Sequence, residues 1–374
     1  MSTSRPTISD KIKFQLVARA AGRCEFPGCN KSLYEDELTK QAGNFSENAH
    51  IIAFSPRGPR GEGDKDGRPA NVDTVDNLML LCAEHHKLID SSPERYPVGE
   101  LQKYKLEHEE RIALATEIQF EKKAYLVAYT APIAQFIPSV AIDEARMAMF
   151  PEQYPASREV INLSLDATKA PSDSTSYEHA VEDLHAKFYM SIRQKLKACD
   201  TTRFAIFAIA PMPLLIQLGS FLGDTVAAVI YQKQRDKGWK WDDSAPDRKF
   251  KITGPNKTAG KKPVLLMMLT DKIDVRRIHE TLGEDVAIWT ITADYQGYDF
   301  ILKRHHLASF KAIARSVIDE VQKHYPKGEE LHIFPIMPAS ACVEFGRIRT
   351  ASHNPWVIYE KRRDTVNYVK TISI

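Results

Sequence analysis

AIFAIAPMPLLIQLGSF, residues 205–221, lies without a gap on HIFPIMPASACVEFGRI, residues 332–348. Ile206 and Ile333, Phe207 and Phe334, Ile209 and Ile336, Pro211 and Pro338, and Gly219 and Gly346 are identical pairs. A second block, IYQKQRD at 230–236, matches IYEKRRD at 358–364 after a one-residue insertion, sharing Ile, Tyr, Lys, Arg and Asp. Each first block opens on an apolar run of strand length and passes a proline that suits the first turn of a helix. A single match between two apolar strands arises easily by chance. Two blocks in the same order at nearly the same offset imply duplication. The C-terminal part is therefore expected to be two related α/β lobes.

Working outward, helix-like and strand-like segments alternate, as an α/β architecture requires. Glu178 to Ala198 and Leu307 to His324 read as helices; Phe204 to Ala210, Val264 to Leu269, Val286 to Thr292 and Leu331 to Met337 read as buried strands. Leu126 to Ser157 is weakly patterned, carries Pro132, Pro138, Pro151 and Pro155, and reads as a connector. Upstream, residues 9–21 read as a short helix, a strand is expected around His50 to Phe54, and Ser55 to Ala70 is a Gly/Pro-rich loop. The apolar run NLMLLC (77–82) precedes a helix from Ala83 to Ile89, and Gly99 to Lys123 reads as one long helix. The expected division is 1–125, a connector 126–157, and 158–374 with lobes of about 158–262 and 263–374.

Bulk properties bound the function. With 43% hydrophobic and 27% charged residues among 374, the chain has an ordinary globular composition. It holds no run of about 20 apolar residues that would cross a bilayer, and Met1 to Pro6 lacks the apolar core of a signal peptide. These features imply a cytoplasmic location and no membrane partner. A formal net charge of +2 excludes a polycation, so any nucleic-acid contact must come from local basic patches.

Of the five cysteines, Cys24, Cys29 and Cys82 fall in the first quarter, with Cys199 and Cys342 isolated in apolar surroundings. An odd count argues against a disulfide framework. Cys24-x4-Cys29 and Cys82-x2-His85 instead give two ligand pairs of the type that tetrahedral zinc prefers. Arg23-Cys-Glu-Phe-Pro-Gly-Cys29 has the turn residues that a knuckle needs. Four protein ligands leave no open position, so such a zinc is structural. Interleaved with this set stand His50, Asn77 and His86.

Over residues 14–95 this order resembles the HNH nucleases, whose ββα-metal finger carries a histidine, an asparagine and a histidine. The resemblance implies a metal-dependent endonuclease acting on double-stranded DNA. It implies His50 as the general base that deprotonates the attacking water and His86 as ligand to a catalytic divalent metal, Mg²⁺. Asn77 would orient the His50 loop or join the metal shell. One departure stands out: many family members place an acid just before the first histidine, where this chain has Ala49. Glu47, Asp73, Asp76 and Asp90 all remain open as its replacement. Arg57, Arg60, Lys65 and Arg68 either grip the DNA backbone or belong to a solvated loop.

FAIFAIAPMPLLIQLGSFLGD (204–224), followed by IYQKQRDKGWKW (230–241), resembles the SAVED domains. These are fused CARF-like, Rossmann-like lobes on effectors of the bacterial CBASS anti-phage systems, which signal with cyclic oligonucleotides. The resemblance covers about 155–374. It implies a bacterial effector switched on by a cyclic di- or trinucleotide through ligand-induced homo-oligomers. In open α/β sheets, ligands sit beyond the carboxyl ends of strands near helix N-termini. This places Pro211, Met212, Pro213, Ala339 and Ser340 at the ligand, near Thr270-Asp271-Lys272 and Asp294. Tyr295, Trp239 and Trp241 would stack on bases, and Lys257, Lys261 and Lys262 would meet phosphates; Trp241 is equally a core residue. Two other readings are a modification-dependent or sequence-specific HNH restriction endonuclease with a C-terminal DNA-recognition domain, and a non-enzymatic sensor whose zinc finger only binds DNA. The intact His50, Asn77 and His86 weigh against the second, and the duplicated lobes against the first.

Overall fold

The computed structural model describes residues 8–63, 67–198, 202–256, 260–297, 299–361 and 367–374. The chain divides into two compact units, Met1–Gln119 and Phe120–Ile374. The first contains α1 (Asp10–Arg19), β1 (Ser46–His50), β2 (Leu78–Cys82), α2 (Ala83–Ser91) and α3 (Val98–Glu117). β1 and β2 pair antiparallel, with Ser46 opposite Cys82 and His50 opposite Leu78. β2 is buried along its whole length, as its unbroken apolar run requires. It packs with Leu16, Ala49, Ile89 and Leu101.

β1 ends at His50, where the sequence suggested that a strand begins. The shift has a local cause. The amides of Ile51 and Ile52 turn away from strand pairing to donate to the backbone oxygen and the Oδ1 of Asn77, both at 2.9 Å.

The second unit opens with β3 (Lys123–Thr130), followed by α4 (Ile142–Met149), β4 (Tyr154–Pro155), β5 (Ile161–Asn162), α5 (Ser174–Phe188) and α6 (Gln194–Ala198). Next come β6 (Phe204–Ile209), α7 (Met212–Leu222), β7 (Ala228–Tyr231), β8 (Phe250–Thr253), β9 (Lys262–Met268), α8 (Val275–Leu282) and β10 (Val286–Ala293). The chain closes with α9 (Arg304–His324), β11 (Leu331–Ile336), α10 (Ala339–Arg347), β12 (Trp356–Lys361) and β13 (Tyr368–Ser373). One sheet runs β4-β3-β6-β7, with β5 also on β3, all parallel. The other runs β13-β12-β11-β9-β10-β8, parallel in the middle and antiparallel at both edges.

Residues 126–157, read from sequence as a connector, contain most of β3 and all of α4. Buried parallel strands are near-continuous apolar runs without alternation, so YLVAYT (125–130) was masked by the prolines that follow it. A boundary at 125 would cut β3. One at 262 would leave β8 apart from β10, with which it pairs.

The two sheets bury corresponding residues in corresponding layers. Phe204, Ile206 and Ala208 of β6 face a shared core that also holds Leu331 and Ile333 of β11. The alternate residues Phe207 and Phe334 face away, under α4 and α8 respectively. Phe207 stacks on Tyr231 with centroids 4.4 Å apart and 12° between planes; Phe334 stacks on Tyr359 at 4.5 Å and 11°. Each phenylalanine also meets a third ring edge-on, Trp239 at 5.1 Å and Tyr368 at 5.0 Å. α7 and α10 cross at the repeated glycines. A Cβ on Gly219 would lie 2.0 Å from Val343 O, and one on Gly346 1.9 Å from Ile216 O. Both positions therefore exclude every side chain.

Candidate functional site

The knuckle 24–29 is shaped by its turn residues. Gly28 takes φ of +79°, a left-handed conformation that a side chain disfavours. The Cys29 amide donates to Phe26 O at 3.1 Å. β2 delivers Cys82, and the first turn of α2 delivers His85. Cys24 and Cys82 Sγ lie 3.8 Å apart, and His85 Nδ1 is 3.6 and 3.1 Å from them. With Cys29, all four ligand atoms fall within 4.8 Å of one another. A tetrahedron with metal–sulfur bonds of about 2.3 Å and a metal–nitrogen bond of about 2.0 Å has edges of about 3.8 and 3.5 Å, so the donor set fits one ion. Burial pushes the Cys24 thiol up to about 12 and raises Cys82 as well. Phe26 stacks on His85 at 4.1 Å and 6° and fixes the ring.

Sequence reading passed over Glu25, whose position between two cysteines suggests solvent. It is 1% exposed, and its Oε2 accepts from the Leu80 amide at 2.6 Å, tying the knuckle to β2.

His50 closes β1, buried, with Nε2 2.8 Å from Asp73 Oδ1. A carboxylate only accepts, so Nε2 is the donor in this contact. Asn77 is buried, and its Nδ2 donates to Ile52 O at 3.0 Å and to Val72 O at 2.9 Å. Together with the bonds it accepts from Ile51 and Ile52, this pins the turn after His50. His86, one third exposed on α2, stands between two carboxylates: Nδ1 is 3.7 Å from Glu47 Oε2 and Nε2 3.4 Å from Asp90 Oδ2. Glu47, Ala83, His86, Lys87 and Asp90 line a cavity of about 160 Å³. Burial raises the Asp90 carboxyl, but hydrogen bonds from His86 and Arg60 outweigh it and hold it below the usual range.

Two of the loop arginines are engaged with their own backbone. Arg60 donates to Ile51 O, Ile89 O and Asp90 Oδ1 at 2.7–2.8 Å, and Arg68 donates to Ala53 O, Gly61 O and Phe54 O. A loop without regular structure must satisfy its carbonyls elsewhere, and a guanidinium offers five donors. Arg57 is exposed, and Lys65 lies outside the described residues.

In the second unit the expected ligand contacts separate. Pro211 and Pro213 are buried, while Met212 and Ala339 are half-buried at the starts of α7 and α10. Ser340 is not open to a ligand: it is 1% exposed, and its amide and Oγ donate to Gln232 Oε1 at 3.0 and 2.7 Å. Trp239 is no stacking platform, being 1% exposed and packed on Phe207. Tyr295 follows β10 and is exposed, with the Arg248 guanidinium 4.3 Å from its ring centre. Lys261 precedes β9 and its amide donates to Asp285, whereas α10 starts beyond the other end of the parallel β11. A strand of this length puts on the order of 20 Å between them, so Lys261 does not share a site with Ala339. Lys257 lies outside the described residues. No helix among the described residues is long and apolar enough to cross a membrane.

Two family models match the chain. Residues 24–92 match an HNH endonuclease, and residues 184–374 match SAVED, the SMODS-associated and fused to various effectors sensor domain. Among proteins of curated function none matches. Solved structures similar to it include the Acinetobacter baumannii Cap4 SAVED/CARF-domain containing receptor with the cyclic trinucleotide 2'3'3'-cAAA, at 12% identity and a TM-score of 0.44, covering 78% of this chain and 60% of that one. A second structure of that receptor matches at 13% and 0.43, covering 80% and 62%. The Moraxella osloensis Cap4 SAVED/CARF-domain containing receptor matches at 12% and 0.42, covering 78% and 60%. The chain thus spans about 60% of the length of these receptors.

Proposed function

This chain belongs to the SAVED family of sensor domains, with an HNH endonuclease domain ahead of the sensor, and from that premise we propose a DNA endonuclease switched on by a cyclic oligonucleotide in bacterial anti-phage defence. The reading rests above all on the first unit, where His50, backed by Asp73 and steadied by Asn77, shares a ββα finger with His86. His50 takes the proton of the attacking water at Nδ1, and Asp73 holds the ring and stabilises the imidazolium that forms. Asn77 keeps the turn after His50 in place. A divalent cation, Mg²⁺, supplies charge neutralisation at the phosphate and help for the leaving oxygen when bound at His86. Zinc on Cys24, Cys29, Cys82 and His85 is structural; the fit of their separations to a tetrahedron supports it.

The domains divide near residue 119, and the sensor consists of two duplicated lobes. The paired ring stacks and the reciprocal glycine crossing support duplication. A cyclic di- or trinucleotide binds at the carboxyl ends of the strands, where Met212, Ala339 and Tyr295 remain accessible. A ligand shifts an equilibrium only by its differential affinity for two states, and bridging a second copy of the chain provides one. Ligand-driven assembly that pairs nuclease domains, each cutting one strand, is the proposed route to activation.

Incubating supercoiled plasmid with the full chain, Mg²⁺ and a panel of cyclic di- and trinucleotides tests this reading, with light scattering alongside. One member of the panel should both increase the particle mass and trigger cleavage. His50→Ala should lose cleavage by about 10²–10⁴-fold while still binding that nucleotide. Cleavage by His50→Ala at the wild-type rate overturns the nuclease assignment. Cleavage that ignores every bound nucleotide overturns the switch.

A further inference from the structure

The acid that the HNH pattern places before its first histidine is Ala49 here, and four carboxylates stand near enough in sequence to replace it. Two are already committed elsewhere. Asp73 lies on His50 at 2.8 Å, and Asp76 accepts from Arg19 at 2.8 Å. Glu47 and Asp90 remain, one on each side of the His86 ring, and both line the 160 Å³ cavity beside it.

These two carboxylates differ in what holds them. Asp90 is anchored: Arg60 Nη2 donates to its Oδ1 at 2.7 Å, while Arg60 Nε and Nη1 grip the backbone at Ile51 and Ile89. Its Oδ2 faces His86 Nε2 one helical turn away. At 3.4 Å this is a long charge contact, and a carboxylate on that side favours the proton on Nε2 and the lone pair on Nδ1, the arrangement of the outer carboxylate in a carboxylate–histidine–metal chain. Nδ1 is the nitrogen that faces Glu47. Glu47 is half-exposed and lies two residues before Ala49, so strand alternation puts both on the same face of β1. Ala49 itself is 0% exposed within the apolar core. A carboxylate at 49 would be desolvated there, whereas at 47 the same face of the strand reaches solvent and the cavity.

We propose that Glu47 is the carboxylate ligand of the catalytic divalent cation, paired with His86 Nδ1, and that Asp90 and Arg60 are positioning residues that orient His86. The assignment rests on the nuclease reading above. A carboxylate and an imidazole are the donor set that Mg²⁺ and Mn²⁺ share in such sites, and Asp73 stays outside it as the partner of the base.

Mn²⁺ titration of the full zinc-loaded chain, followed by the electron paramagnetic resonance of the free ion, reads the site without cleavage. Glu47→Gln should weaken Mn²⁺ binding about 100-fold and Asp90→Asn by about 10-fold, within the span seen when ligands and their outer partners are altered. Glu47→Asp, which keeps the charge, should stay within about 10-fold of wild type, and Asp73→Asn within about threefold. Zinc content and melting temperature should be unchanged in Glu47→Gln and Glu47→Asp, since Glu47 is half-exposed. If the wild type binds Mn²⁺ and Glu47→Gln binds it equally well, the Glu47 assignment falls and the nuclease reading stands. Loss of binding in Asp73→Asn with none in Glu47→Gln overturns it too, moving the ion to the His50 side. A wild-type chain that binds no Mn²⁺ and cuts no plasmid overturns the nuclease reading and this proposal with it.

Discussion

The two units fix their centres by opposite means. In the first unit four cysteine and histidine side chains of the kind that can hold a metal converge beside the apolar strand β2, and Arg60 and Arg68 hold the loop through backbone carbonyls. In the second unit the centre is a continuous apolar layer, and its tightest point is the absence of side chains at Gly219 and Gly346. The difference teaches where specificity is written. A centre built on ligands tolerates changes in the surrounding shape but not in the identity of one atom. A centre built on packing tolerates chemical exchange but not one added methyl group.

The largest expected effect breaks the first centre. Cys82→Ser should strip the zinc and unfold the first unit, because structural zinc contributes about 10–16 kcal/mol in the smallest domains that depend on it and the apolar core here is small. Elemental analysis should show zinc lost, and calorimetry should show one of two melting transitions gone while the other persists. A folded, zinc-free first unit would mean that the cysteines are ordinary core residues.

The next effect is local to the second centre. Gly219→Ala and Gly346→Ala each push a Cβ to about 2 Å from a backbone carbonyl oxygen. No rotamer relieves a clash with backbone, so each should cost about 3 kcal/mol or more, at the upper end for overpacked cores. Because the two residues share one crossing, the double variant should cost less than the sum. Urea unfolding checks both numbers, with Gly99→Ala as control, since nothing lies within 4 Å of a Cβ there. Strictly additive costs would argue against a shared crossing.

How far each unit could be read in advance follows from this contrast. Cys24, Cys29, Cys82, His85, His50, Asn77 and His86 stood out because these residue types recur at particular spacings; the structure gathers the first four within 4.8 Å of one another, while His50, Asn77 and His86 each meet partners of their own. The roles of Asp73, Glu25 and Arg60 were hidden, since partnerships across 23, 55 and 30 residues leave no local pattern. In the second unit the repeat located the strands and the glycine pair. Phe207 and Phe334 signalled layers but not ligands, and the expected contacts went wrong where burial decided. Trp239 fills the core, and Ser340 is capped by Gln232, which follows β7. A tryptophan suited to base stacking and one suited to a core are the same residue in sequence. Only the strand order distinguishes Lys261, at the wrong end of β9, from Ala339.

The smallest effect separates the units by pH. His332 on β11 is 7% exposed, with Nδ1 3.1 Å from the Tyr359 hydroxyl. Burial, aided by Lys262 and Lys370 and opposed by Glu330, pushes its pKa down to about 4. The unfolded chain, near 6.5, binds this proton more readily than the folded one, so acid favours unfolding. Nothing is lost well above pH 6.5; stability then falls as pH drops from 6.5 towards 4, by on the order of 3 kcal/mol at most. The sequence repeat pairs it with Ala205, which cannot titrate. His332→Gln should therefore flatten the acid limb of the second unit's urea stability between pH 6.5 and 4 and leave the first unit's unchanged. It should cost stability at pH 7, where the neutral histidine is well packed, and the cost should shrink or reverse near pH 4. A gap between wild type and variant that stays constant across this range would show that His332 is protonated equally in both states, and that the acid sensitivity of the second unit lies elsewhere.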